Sequence, residues 1–215
     1  MEFLDAVKKR HSVRDFSERE VSREDLLAIV DAAKLTPSWA NSQTWKLVIA
    51  SGQTLEKIRR HHESAGQESQ DTPEVPPLHR DTMGPVGMKN VSGWMSGIND
   101  FMSKDPQAMA KDAASLYNAP AVAYLLMPRA SALYSAYDLG AFGQTLMLAA
   151  ADRGLDSIPA MEYVLHPKFL HEALDVGDDY VFALGIGLGY EKEDAMINQF
   201  RASRMDNDEF LTIKD

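Results

Sequence analysis

The chain contains no cysteine. That excludes disulfide staples, thiolate metal centres, iron–sulfur clusters and a cysteine nucleophile, and it suits a reducing compartment. No apolar run approaches the roughly 18 residues that span a bilayer. The N-terminal stretch MEFLDAVKKRHSVRDF is mixed and charged, without the apolar core or small-residue cleavage site of a secretory leader. The expected location is therefore the cytoplasm, with no membrane partner. Positive charge is scarce: 22 Lys and Arg stand against 32 Asp and Glu, a net charge of −10. A nucleic-acid binder shows the opposite balance. The six histidines show neither H-x-x-x-H nor HExxH spacing, so no metal site is expected. Walker and G-x-S-x-G motifs are also missing.

What is present is an ordinary globular composition, with 45% hydrophobic and 25% charged residues in 215. It reads as one domain over residues 1–215. Phe3, Leu4 and Val7 fall on one face of a first helix over 2–10. Ser22-Arg-Glu-Asp25 resembles a capping box before Leu26, Ile29, Val30 and Ala33, and Pro37 closes that helix. Residues 45–50 (WKLVIA), 121–127 (AVAYLLM) and 180–188 (YVFALGIGL) read as buried strands. Residues 54–62 read as a short amphipathic helix, 134–153 as a long apolar one ended by Gly154, and Pro167 as the start of another. Residues 64–100 hold four of the ten prolines and lack a sustained period. With Trp94, Met95, Ile98, Phe101 and Met102 at helical spacing, segment 64–102 reads as an excursion carrying an inserted helix, either a lid or surface packing. The tail from Glu191 to Asp215 shows no clear core of its own. Three or four strands among more helices give an α/β or α+β class.

Few residue patterns suggest chemistry. Gly185, Gly187 and Gly189 form G-x-G-x-G, which has the wrong spacing for a dinucleotide fingerprint and reads as structural. Lys8, Lys9, Arg10, His11 and Arg14 crowd into seven positions of an acidic chain, and Arg201 and Arg204 form a second basic pair. Such concentrations suit a phosphate dianion, although any acidic protein carries some surface arginines. Residues 36–45 (TPSWANSQTW) are rich in amides and hydroxyls. Asn41 and Gln43 can meet a heterocycle edge, and Trp39 can stack on a planar ligand or cap the core.

Together these pieces resemble the nitroreductase family. Arg10-His-Ser-Val-Arg14-Asp-Phe16 looks like its R-x-S-x-R-x-F phosphate motif, and 36–45 is similar to its S-P-S-x-x-N-x-Q-P-W loop. Asp138-Leu-Gly-Ala-Phe-Gly-Gln144 matches D-x-G-x-x-x-Q, and 151–159 is similar to the family's G-L-x-T-x-P segment, with Ser157 in the Thr place. Residues 184–190 look like the closing strand, and Arg201-Ala-Ser-Arg204 like the C-terminal phosphate-binding turn. The six matches keep the family's order along nearly the whole chain.

The resemblance implies an α+β fold with a central, mostly antiparallel sheet packed by helices, in an intertwined homodimer with FMN at the interface. It implies that Arg10, Ser12, Arg201 and Arg204, with His11 alongside, hold the phosphate and ribityl chain, and that Arg14 lies at the pyrimidine end of the flavin. Pro37, Ser38, Trp39 and Asn41 would come from the partner subunit. Pro159, Ala160 and Met161 would run along the isoalloxazine, and Gln144 would support them. A mid-chain contact would fall near Asp112 or Ser115. The implied activity is ping-pong hydride transfer from NAD(P)H through FMN to a nitroaromatic or quinone-type acceptor. Such a cofactor carries the chemistry itself, which accounts for the missing acid–base constellation. The alternatives on the same fold are an FMN-dependent dehydrogenase or dehalogenase, or a non-catalytic flavin-binding protein. Trp39 stands where many members have a small Ser, and Thr44 replaces the usual Pro.

Overall fold

Residues 1–65 and 72–215 are described in the computed structural model of the protein. Runs of β-branched and aliphatic residues pair into one four-stranded sheet. Its strands are β1 (Lys46–Ser51), β2 (Ala121–Pro128), β3 (Asp156–Ala160) and β4 (Tyr180–Gly189), in the order β1-β2-β4-β3. Every pairing is antiparallel. The strand β3 escaped the sequence reading because it is five residues long and contains a proline. It lies at the sheet edge, where the missing N–H of Pro159 can be tolerated.

The two-residue period of β2 sorts its side chains into two cores. Val122, Tyr124 and Leu126 join Val13, Phe16, Leu55, Tyr163 and Phe182 on one face. Ala121, Ala123 and Leu125 join Ile29, Phe142, Leu146 and Ile186 on the other. Helices cover both faces: α3 (Gly52–Ala65) and α7 (Pro167–Ala173) the first, α2 (Arg23–Ala33) and α6 (Leu133–Asp152) the second. The capping box is formed, with the Asp25 N–H donating to Ser22 Oγ at 3.0 Å. Gly154 sits at φ +82° after α6, in the left-handed region that the expected cap requires.

The glycines of β4 are structural, as their spacing suggested. A Cβ on Gly185 or Gly187 would lie 2.2 or 2.0 Å from Tyr163. The buried tyrosine ring rests directly on the strand and fixes the turn over 161–164.

The first helix forms where expected, and the reading of the tail is corrected. The helix α1 (Phe3–Lys9) buries only Ala6, while Phe3, Leu4 and Val7 are exposed. The helix rests on α6 and turns its apolar side outward. The tail does have a core: Ile197 is buried with Ile98 and Met102 of α4 (Gly84–Phe101), and the Phe200 ring lies 5.6 Å from Phe101. A single turn of three or four residues carries too few apolar positions to show a period. Beyond α4 come α5 (Ala108–Ala114) and three consecutive left-handed residues, Leu116, Tyr117 and Asn118 (φ +52°, +57°, +57°). Such backbone is strained for side-chain-bearing residues and gathers at functional sites. A last short helix, α8, covers Asn207–Phe210.

Candidate active site

The N-terminal segment after α1 runs beside β3, where Val13 N–H donates to the Ser157 carbonyl at 3.2 Å. Its next residues are gripped by the far end of the chain. Asn198 Oδ1 accepts the N–H groups of Arg14 at 2.7 Å and Asp15 at 3.1 Å, and its Nδ2 donates to the carbonyls of Asp15 and Lys192. All four hydrogen-bonding capacities of one buried amide are used to bring residues 201–204 beside residues 10–14.

The result is a cleft with two unlike lobes that share Ser12 and Arg14. The first lobe, about 560 Å³, is lined by Lys8, Arg10, His11, Gln144, Arg201 and Arg204. Burial and the neighbouring Arg204 both hold Arg10 below its ordinary value. Among the described residues no carboxylate pairs with Arg10, Arg14, Arg201 or Arg204. Arg201 and Arg204 are steadied by backbone carbonyls at 2.6–3.2 Å. Guanidinium groups gathered without counter-charges are the arrangement that a phosphate completes.

The second lobe, about 540 Å³, is mainly apolar. Trp94 of α4, Met109, Ala110, Ala113 and Ala114 of α5, and Tyr117 form walls around Pro159, Ala160 and Met161. The four α5 positions recur at i, i+1, i+4 and i+5, an apolar stripe visible in the sequence but too short to stand out. Arg14 lies at the junction, half-buried, with its guanidinium carbon 6.0 Å from the Trp94 ring centroid. Burial lowers its pKa, while nearby Tyr117 opposes that shift. A mainly apolar slot beside a cationic pocket can take a ring system that carries a phosphorylated tail.

Ten of the expected site residues therefore line one cleft: Arg10, His11, Ser12, Arg14, Gln144, Pro159, Ala160, Met161, Arg201 and Arg204. Gln144 lines the cationic lobe directly, where only a supporting place was expected. Pro37, Ser38, Trp39 and Asn41 line neither lobe of their own protomer. Their loop sits on α6, with the Trp39 N–H donating to buried Asp138 at 2.9 Å and the indole 66% exposed. Ala40, Asn41 and Gln43 take left-handed φ values there. Asp112 and Ser115 also line neither lobe; Ser115 Oγ donates to the Asp112 carbonyl at 3.0 Å. Burial, with Asp15 nearby, pushes the Asp112 carboxyl up to about 6. Asn198, Tyr117 and Glu162 were not identified from sequence, because single polar residues carry no periodic signal.

A model of the Nitroreductase family matches residues 7–190. Nitrobenzene nitroreductase of Ectopseudomonas oleovorans is 27% identical, covering 97% of this chain and 95% of that protein. Nitroreductase NfnB of Mycolicibacterium smegmatis is also 27% identical, covering 92% and 86%. Among solved structures, the FMN-dependent nitroreductase NfnB from Mycobacterium smegmatis in complex with NADPH superposes with a TM-score of 0.90 at 24% identity, over 100% of both chains. The α+β fold with its antiparallel sheet is thus the fold of these proteins.

Proposed function

The chain belongs to the nitroreductase family, and from that premise we propose that it is an FMN-dependent oxidoreductase which passes reducing equivalents from NAD(P)H to nitroaromatic and quinone-type acceptors. The observation that carries this reading is the convergence of Arg10 and Arg204, from opposite ends of the chain, on one lobe of a cleft whose other lobe is mainly apolar.

The residues present fit that cofactor. Arg10, Arg201 and Arg204, with Lys8, His11 and Ser12, would hold the phosphate and ribityl chain. Trp94, Pro159, Ala160 and Met161 would enclose the ring system. When bound, FMN supplies the hydride-transfer chemistry, which no side chain of the protein needs to perform. Arg14, whose backbone is held at the junction by Asn198, would supply positive charge to the ring system as it gains negative charge on reduction. With FMN bound, the slot would leave one space for both donor and acceptor. The two therefore enter in turn, a ping-pong order.

A homodimer belongs to the same reading. Leu133, Tyr134 and Tyr137 at the start of α6 are 90%, 67% and 75% exposed, and Phe3 and Leu4 of α1 lie open as well. Apolar surface of this extent calls for a cover, and a second copy of the chain provides one. It would also give the 37–41 loop a cofactor site to complete in the partner.

The test is an anaerobic absorption spectrum of the purified protein before and after NADPH, followed by a nitroaromatic or menadione. A flavin band that bleaches with NADPH and returns with the acceptor is expected, with parallel-line steady-state kinetics. A colourless protein that takes up no FMN overturns the proposal.

A further inference from the structure

The apolar lobe is not electrically neutral. Apart from Arg14, which is shared with the cationic lobe, the charged side chains lining it among the described residues are Glu63 and Glu162. His62 lines it too, but its Nε2 lies 3.2 Å from the Ala113 carbonyl, and burial lowers its pKa, so it stays uncharged at neutral pH. The two carboxylates differ in kind. Glu63 lies on the exposed C-terminal turn of α3. Glu162 is half-buried, on the turn pinned by Tyr163, and near enough to Tyr117 that its charge adds to burial in pushing that hydroxyl's pKa up. Tyr117 in turn is held by the strained left-handed backbone at 116–118. Glu162 is therefore a positioned negative charge, poorly screened by solvent, in the wall of the slot where the acceptor must stack.

We propose that Glu162, assisted by Glu63 at the rim, sets the acceptor specificity of the slot, favouring planar acceptors that carry positive charge over those that carry a carboxylate. The inference rests on the reading above, because the acceptor shares the slot with bound FMN and Arg14 is then engaged with that group. Among the described residues, the remaining charges lining the slot are both negative. An ammonium group next to them is attracted, and also gains the face of Trp94. A carboxylate in the same place is repelled and must shed its water as well.

The experiment uses the full-length protein loaded with FMN. Equilibrium binding of benzyltrimethylammonium and of benzoate is measured by calorimetry, and kcat/KM is measured for (4-nitrobenzyl)trimethylammonium and 4-nitrobenzoate. The cation is expected to be favoured by about tenfold or more in both measurements. Glu162→Gln should shrink that ratio by about fivefold or more. Glu63→Gln should shrink it less, and only at low salt, as suits an exposed group; it also serves if Glu162→Gln fails to fold. Equal treatment of the two ions, a preference for the anion, or a ratio that both variants leave unchanged overturns the inference while the FMN-dependent activity stands. Failure to take up FMN shows as colourless protein before any acceptor is added, and removes both proposals.

Discussion

Asn198 and Arg14, 184 residues apart, are joined by a 2.7 Å hydrogen bond from the Arg14 N–H to the Asn198 side-chain carbonyl. This contact ties the C-terminal tail to the N-terminal basic segment, and thereby forms the cationic lobe. Asn198→Ala should remove four hydrogen bonds in a buried place. A loss of roughly 3 kcal/mol is expected by urea denaturation, with FMN affinity reduced at least tenfold. Asn198→Asp retains both acceptor roles and loses both donor roles, so its loss should be intermediate or larger, according to how far the new charge is buried. An Asn198→Ala protein with unaltered FMN affinity would separate the tail from the site.

Arg10→Ala and Arg204→Ala should each weaken FMN binding by about 10- to 100-fold, with little effect on riboflavin, which lacks the phosphate. Fluorescence titration with both ligands at two salt concentrations checks this. Equal losses for the two ligands would assign the arginines a role other than phosphate binding.

Gly187→Ala should be strongly destabilising, by about 3 kcal/mol or more, because its Cβ would lie 2.0 Å from the Tyr163 hydroxyl and 3.1 Å from Ile158. Thermal denaturation should show a fall of several degrees. Adding Tyr163→Phe removes the nearest atom and should restore part of the loss; no recovery would mean that the strand itself is at fault.

Asp112 makes stability depend on pH. Its folded pKa, raised by burial and by Asp15, is about 6, above the ordinary 3.8. The folded state therefore holds the proton more tightly, and stability falls as pH rises from about 4 to about 6, remaining lower above that window. Asp112→Asn should stabilise the protein at pH 7, by about 1 kcal/mol after allowing for partial exposure, and the advantage should vanish near pH 4. Paired denaturation curves at the two pH values decide it.

Leu133→Asp and Tyr137→Asp each put a charge on the open start of α6. Both should yield monomer in sedimentation experiments and, because the 37–41 loop then has no partner site to serve, a loss of bound FMN. A monomeric variant that keeps full FMN occupancy would show that each protomer binds the cofactor alone.

Much of the fold was legible from local pattern. The apolar runs at 45–50, 121–127 and 180–188, the capping box at Ser22 and the stop at Gly154 each carry their own instruction, through periodicity, hydrogen bonding or a positive φ. The basic cluster at 8–14 and the pair at 201 and 204 were visible as well, and so were the glycines of β4. The apolar stripe of α1 was legible too, but such a stripe states that a surface must be covered and not by which chain.

The amino-acid order by itself determined which residues could form strands, helices and caps, and which few side chains could bind a phosphate. Only the tertiary structure decided that residues 10–14 and 201–204 form one lobe, that α5 and Trp94 wall the other, and that Glu162 faces into it. The physical reason is that propensity and periodicity act over a few neighbouring residues. The site depends instead on long-range closures: the buried amide of Asn198, and the contact of Tyr163 with the glycines of β4. Their energy appears only when distant segments are already packed together.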